Sequence, residues 1–238
     1  MFNQNYIQNH LLAALPEADL SRIGESLELK QMALGSLIFE AGEKLTYLYF
    51  PISCVFSLHY SMENGSSSEF SAVGNEGAVG LCLFLSDAMS SSSALVQTSG
   101  YAYRISLIKL RQEINITSPV MRVLLRYTQL HLAQVSQQAI CKQHHMIMRR
   151  LCTWLLQRLD RSESLEIIIT QELIAEAMGV RREGINEATQ KLQQMGLIKC
   201  RRGYITVLDI NAIKELACEC YEVFRTEYER LFTTKVIH

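Results

Sequence analysis

The sequence lacks a dominant charge, a long apolar run and any recognisable catalytic signature, and each absence excludes something. Its 238 residues carry 23 Lys/Arg against 24 Asp/Glu, a net charge of −1, so the total gives no electrostatic reason to expect a nucleic acid or an acidic membrane. No wholly apolar run approaches the roughly 18 residues that a membrane-spanning helix needs. The N-terminal stretch MFNQNYIQNHLLAALPEADL has no basic residues ahead of its short apolar patch, which argues against a secretory signal. No nucleophile–base pair, metal motif or phosphate-loop signature is present, so an enzyme is not expected.

Paired cysteines are lacking too. Cys54, Cys82, Cys141, Cys152, Cys200, Cys218 and Cys220 form an odd, scattered set, which fits reduced thiols in a bacterial-type cytoplasm better than a disulfide scaffold. Cys218 and Cys220 are two apart, and on a helix they would point to different faces, a poor start for a shared metal. Cys141 with His144 and His145 has no second Cys/His cluster nearby in sequence. No metal site is expected.

What the sequence does have is a change of pattern along the chain. Residues 4 to 30 read as helical, with Pro16 early in a second helix and Leu20, Ile23 and Leu27 at helical spacing. From Leu34 to about Ile108 short β-rich runs take over, at 37–40, 47–50, 54–60, 69–73, 94–98 and 101–106. Turn signals separate them, Asn64-Gly65 among them. Such spacing implies an antiparallel β-barrel or β-roll. A long helix follows Ser118-Pro119. Met121, Leu125, Thr128, Leu132, Val135 and Ala139 step by four and three along it, a heptad seam. That seam fits either a core helix lying on its own barrel or a two-chain coiled coil, and its length favours the coil. A further helix, about 147 to 159, turns Leu151, Trp154, Leu155 and Leu159 inward.

The charge is also uneven. Residues 146–208 hold ten basic against seven acidic residues, whereas residues 1–145 hold nine against eleven. Within the basic part lies ITQELIAEAMGVRREGINEATQKLQQMGLIKCRRGYITVLD, residues 169–209. Thr170 can cap a first helix, Ile174 and Met178 share a face, and Ala175 is small where another helix must approach. Gly179 supplies the turn, and Val180, Ile185 and Ala188 give a second helix, about 181 to 194, its buried side. Together these describe a helix-turn-helix. Met195-Gly196 ends the second helix, and two strands around Arg201-Arg202-Gly203 form a wing whose arginines suit phosphate contact. The second helix offers Arg181, Arg182, Glu183, Asn186, Glu187 and Gln190 outward, side chains that pair with base edges in a major groove. Thr170 and Gln171, at the start of the first helix, complete the candidate DNA contacts.

On these motifs, above all VRREGINEA (180–188), the chain resembles the CRP/FNR family of bacterial transcription regulators over almost its whole length. The resemblance implies an α+β fold: residues 1–117 a cyclic-nucleotide-binding-like sensor β-roll with N-terminal helices, 118–143 a dimerisation helix, 144–212 a winged helix-turn-helix domain and 213–238 a helical extension. It implies a homodimer on pseudo-palindromic double-stranded DNA, with Arg182-Glu183 matching the family's base-reading pair. Asn186 and Glu187 depart from the usual pattern, so the half-site should differ from that of the best-known members. RNA polymerase stands as an open partner, with no face of the chain assignable to it. A ligand-binding module whose helix-turn-helix contacts protein remains the alternative.

The resemblance also addresses the stretch EGAVGLCLFLSDAMSSSSALV (76–96). Cyclic-AMP-binding members have a Gly-Glu step for the ribose and an Arg-Ser pair for the phosphate. Here Gly80 is followed by Leu81 and Cys82, and Ser92-Ser93 stand where Arg-Ser should. Val135-Ser136 replace the Thr-Ser pair that meets adenine. A phosphate buried without a cation would carry a large desolvation cost, so cyclic AMP is not expected as effector. With Cys54 the first cysteine, the N-terminal cluster that would hold an iron–sulfur centre is missing, and none is expected. Haem-binding members use ligands that no motif here certifies, and His59, in a strand-like run, reads as structural.

Overall fold

In a computed structural model of the chain, the described residues are 6–63, 65, 67–86, 89–115, 118–162 and 164–232. The chain divides into two units. One comprises Met1–Tyr60, Ser71–Leu132 and Leu231–His238, and the other Ser61–Phe70 and Ala133–Arg230. No helix among the described residues is long and apolar enough to cross a membrane.

The first unit begins with a short 3-10 turn, then α1 (His10–Ala13) and α2 (Glu17–Gly24). Asn9 fixes this entry from a fully buried position. Its Oδ1 accepts from the backbone N–H groups of Leu11 and Leu12, and its Nδ2 donates to the carbonyls of Pro51 and Gly77, each at 2.9 Å. A buried amide so completely paired avoids the cost of an unmet polar group. The strands follow as β1 (Glu28–Met32), β2 (Leu37–Phe39), β3 (Tyr47–Pro51), β4 (Val55–Ser61), β5 (Ser67–Val73), β6 (Ser93–Thr98) and β7 (Gly100–Ser106). They form two antiparallel sheets, ordered β1-β7-β3 and β2-β6-β4-β5, as the β-roll reading requires. Leu48, Phe56, Ala94, Val96 and Ile105 fill the interior.

Helical segments interrupt and close the roll: α3 (Leu81–Ser86), α4 (Leu107–Glu113) and the start of α5 (Pro119–His144). Val120, Val123, Leu124, Tyr127 and Leu130 on α5 are buried, and a side chain at Gly77 would place a Cβ 2.3 Å from the Tyr127 hydroxyl. The helix therefore covers its own unit with one face. The seam lies on another: Leu125 is 47% and Leu132 67% exposed, Ala139 is exposed, and Met121, Thr128 and Val135 are half-buried. The two readings of the heptad seam thus concern different faces of the same helix.

The second unit is built on α6 (Ile147–Leu159), β8 (Glu166–Ile168), α7 (Gln171–Met178), α8 (Arg182–Gln194), β9 (Ile198–Arg201), β10 (Tyr204–Val207), α9 (Ile210–Leu216) and α10 (Cys220–Phe232). Leu151, Leu155, Ile174, Ile185, Leu192 and Ile213 are completely buried in one apolar cluster that joins the helices to the small sheet β8-β10-β9. The 61–70 segment belongs to this unit: the buried Glu69 lies 3.5 Å from Arg158, and Lys142 Nζ donates to the Glu69 carbonyl at 3.0 Å.

Several expectations need correction. Residues 28–32 are strand, not the end of a helical segment; four of the five are exposed, and backbone pairing with β7 rather than an apolar pattern makes the strand. The wing sheet has a third strand, β8, too short for its alternation to register in the sequence. The C-terminal extension is two helices, because Ala217 leaves α9 in an extended conformation (ψ 159°) with no glycine or proline to announce the break. Of the Asn64-Gly65 turn, Asn64 lies outside the described residues, and Gly65 has φ +81°.

Candidate nucleic-acid interface

The helix-turn-helix forms from local rules. Thr170 is the N-cap of α7, its hydroxyl accepting from the Leu173 N–H at 3.2 Å. At the other end Gly179 takes the left-handed conformation (φ +63°, ψ +44°), and its N–H reaches back to Ala175 and Glu176. The Arg150 guanidinium, from α6, donates to the Met178 carbonyl and so satisfies another group at the end of α7. From this turn α8 starts at Arg182, with Arg181 at its N-cap.

The inner side of α8 is sealed by Ile185, Ala188, Thr189 and Leu192, all buried. Thr189 Oγ1 lies 2.8 Å from the Ile185 carbonyl and accepts from Gln171 Nε2 at 3.2 Å. Gln171 therefore braces α8 from α7. A Cβ at Gly184 would sit 2.8 Å from Ile147 Cδ1, so the first turn of α8 lies close on α6. Outward, Arg181, Arg182, Glu183 and Gln190 are exposed, and Asn186 is half-buried. Asn186 Oδ1 is buried and has no hydrogen-bond partner among the described residues. Glu187 is engaged by Lys191 at 2.7 Å, a contact the sequence reading passed over, and that hydrogen bond holds its carboxyl below the usual range. The outward face is thus a run of mixed donors and acceptors from Arg181 to Gln190, with one ion pair, Glu187–Lys191, among them.

The wing arginines differ from each other. Arg202 and Gly203 (φ +79°) form the tip of the β9–β10 hairpin, where Arg202 is exposed. Arg201 is hydrogen-bonded to Glu166 of β8, and its guanidinium carbon lies 5.6 Å from the centre of the Tyr204 ring. Glu166 lies on β8, a strand of three residues too short to show an alternating pattern in the sequence.

The candidate effector residues are less promising as a site. Gly80 adopts φ +99°, and a Cβ there would strike Leu45 Cδ2 at 2.1 Å. The next residue, Leu81, is buried and opens α3; Cys82 continues α3, and its side chain lies outside the described residues. The serines bond to one another and to neighbours. Ser90 Oγ donates to the Ser92 carbonyl at 2.6 Å, the Ser92 N–H donates back at 3.2 Å, and Ser91 Oγ meets the Tyr60 hydroxyl at 3.0 Å. Ser93 opens β6 and pairs with His59, which is buried with its Nε2 2.6 Å from Ser57 Oγ. Ser136 is exposed on α5.

One further group of side chains could hold a metal. Cys141 near the end of α5, His145 just after it, Cys218 between α9 and α10, and Cys220 at the start of α10 have ligand atoms all within 4.8 Å of one another. The idea that Cys218 and Cys220 occupy different faces of one helix does not describe the structure, since Cys218 precedes α10, which starts at Cys220. Hydrogen bonds from Cys141 and then Thr153 hold the Cys218 thiol low, while the hydrogen bond with Cys218 pushes Cys141 up.

Residues 149–216 match the family described as the Crp-like helix-turn-helix domain. Among solved structures, a protein assigned to the CRP/FNR transcriptional regulators from Eubacterium rectale is similar over 87% of this chain and 96% of its own, at 19% identity and a TM-score of 0.67. FixK2 from Bradyrhizobium japonicum is similar over 81% and 98%, at 15% identity and a TM-score of 0.69. The c-di-GMP-responsive global regulator CLP from Xanthomonas campestris is similar over 82% and 100%, at 14% identity and a TM-score of 0.63. Such identities establish a shared fold. No curated protein matches the chain.

Since α7 is started by one side-chain cap, Thr170→Ala should lower the stability of the second unit by about 1 kcal/mol. Chemical denaturation followed by circular dichroism measures this; an unchanged midpoint would remove the cap from the account of this turn.

Proposed function

We propose that this chain, with its Crp-like helix-turn-helix domain and the fold it shares with solved CRP/FNR regulators, acts as a homodimeric, sequence-specific DNA-binding regulator of that type and not as an enzyme. One observation carries the reading: α8 buries Ile185, Ala188 and Leu192 and leaves Arg181, Arg182 and Glu183 exposed at its N-terminal end, with Gln190 exposed two turns further on. The N-terminal half of a recognition helix enters the major groove. Arg182 is suited to guanine O6/N7, Glu183 to cytosine N4, and Asn186 and Gln190 to adenine. Glu187 takes part as one end of an ion pair with Lys191, which sets the outer limit of the reading surface.

In this reading the heptad stripe Met121, Leu125, Thr128, Leu132, Val135 and Ala139 meets the same stripe of a second chain. Leu125 and Leu132 are large apolar side chains left in water otherwise. Pairing along this stripe would set two α8 helices about 34 Å apart, one DNA turn, on a pseudo-palindromic site. The wing supplies phosphate contact, with Arg202 exposed at the tip and without an ion pair among the described residues, and Arg201 as a cation already held by Glu166. RNA polymerase stands as an open partner for such a regulator.

The effector pocket is read as altered. Gly80, Leu81, Cys82, Ser92, Ser93 and Ser136 offer hydroxyls and backbone but no guanidinium for a cyclic phosphate. The Ser90–Ser92 hydrogen bonds further reduce the donors free for a ligand.

Arg182→Ala and Glu183→Ala are each expected to weaken binding to the cognate site by about 1–3 kcal/mol and to relax the preference at one base pair. Mobility shift against the site and single-base variants measures both effects; full sequence-specific affinity in both variants would reject these roles. Arg202→Ala should weaken binding to all sequences alike and reduce the slope of log affinity against log salt by about 1. Arg201→Ala should change the slope less, and equal slopes would argue against the distinction. Leu125→Glu and Leu132→Glu should each convert dimers to monomers in multi-angle light scattering. Dimers that persist in both would move the interface off this stripe.

A further inference from the structure

The four side chains near the end of α5 and the α9–α10 junction have no task in DNA recognition, yet they share a geometry. Cys141 Sγ lies 3.5 Å from Cys218 Sγ, and Cys220 Sγ lies 3.5 Å from His145 Nδ1. All four candidate donor atoms fall within 4.8 Å of one another. In a tetrahedral zinc site, with Zn–S near 2.3 Å and Zn–N near 2.0 Å, ligand atoms stand about 3.4–3.8 Å apart. Two pairs already meet that spacing, and the rest lie within about 1 Å of it. A polynuclear iron–sulfide cluster would hold its thiolates further apart, because irons and bridging sulfides lie between them.

The surroundings are those of a metal site. His145 turns Nδ1 toward the sulfurs, and its other nitrogen, Nε2, is 3.1 Å from the Glu219 carboxylate. A carboxylate holding the far nitrogen fixes the tautomer that leaves Nδ1 free to coordinate. The thiols have oriented donors: Gln137 Nε2 reaches Cys220 Sγ at 3.2 Å, and Thr153 Oγ1 is 3.0 Å from Cys218 Sγ. Thr153 is positioned in turn by the Cys218 N–H, which donates to it at 3.1 Å. Cysteines that served only as small apolar fillers would need no such arrangement. Three thiolates, a neutral imidazole and a divalent ion sum to one negative charge. Arg149, which donates to the Ala217 carbonyl and lies 3.8 Å from Glu219, is a nearby cation to balance it. Cys141 and Cys220 also border a cavity with Gln134, Gln137, Trp154 and Phe224, which gives an ion a way in.

We propose that Cys141, His145, Cys218 and Cys220 bind one zinc ion as a closed tetrahedral site. The ligands bracket the Crp-like domain: two precede residue 149 and two follow residue 216. The ion therefore joins the end of α5 to the C-terminal helices and closes the domain into a loop 77 residues long between Cys141 and Cys218. Ligands so far apart in sequence come together only in the folded chain, so the binding energy is folding energy for this unit.

The test uses the full-length chain purified without chelator, as wild type, Cys218→Ser, His145→Cys, and Cys200→Ser as a cysteine substitution outside the site. Elemental analysis should give one zinc per chain for wild type, His145→Cys and Cys200→Ser, and none for Cys218→Ser. Cobalt exchanged into the wild type should show the intense d–d absorption of a tetrahedral thiolate site, with charge-transfer intensity rising in His145→Cys as a fourth sulfur replaces nitrogen. The cobalt spectrum of the wild type decides the matter even if Cys218→Ser does not fold. Wild-type chain that carries no zinc and gives no such spectrum would overturn the proposal. So would a Cys141–Cys218 disulfide found by peptide mapping, or an iron–sulfide chromophore in the protein as purified.

Discussion

What α8 presents to solvent depends on how firmly its other side is held. Ile185 and Leu192 are completely buried in the cluster that includes Leu151, Leu155 and Ile174, and Thr189 spends its hydroxyl on its own helix and on Gln171. The helix can then rotate about its axis only by pulling an apolar row out of that cluster, at roughly 25 cal/mol per Å2 exposed. Every outward residue, from Arg181 to Gln190, inherits its direction from this packing. Gly179 sets where the helix begins, and a φ of +63° is one that a residue with a Cβ adopts at a cost.

The same logic explains which features could be read from the sequence. The cap at Thr170, the turn at Gly179 and the helix over 147–159 are decided by residues within a few positions of one another, and the structure has them where the spacing implied. Strand β1 could not be read that way, because its partners are Gly100 to Arg104, some seventy residues on, and its own side chains are mostly in water. The break between α9 and α10 carries no glycine or proline, and the periodicity of Ile213, Ala217 and Cys220 runs straight through it. Non-local pairing hid the two most informative polar contacts as well: Arg201 with Glu166, and Cys141 with Cys218.

The serine-rich stretch shows a different limit. The family resemblance gives it an address without the residues that serve a cyclic phosphate. The structure adds that Ser90 and Ser92 answer each other and that Ser91 meets Tyr60. Hydroxyls so engaged hold a loop together, and any ligand there would have to exchange with bonds the chain already makes.

The Arg201–Glu166 pair brings such an exchange to the wing itself. A phosphate approaching Arg201 would compete with a carboxylate that is already bonded, whereas Arg202 is exposed and has no ion pair among the described residues. Stray polyanions that touch the wing without the rest of the surface gain from one arginine and not from the other. In the proposed reading, a duplex that holds the wing in place would engage the second cation only by breaking its bond to Glu166, a modest cost for so exposed a pair.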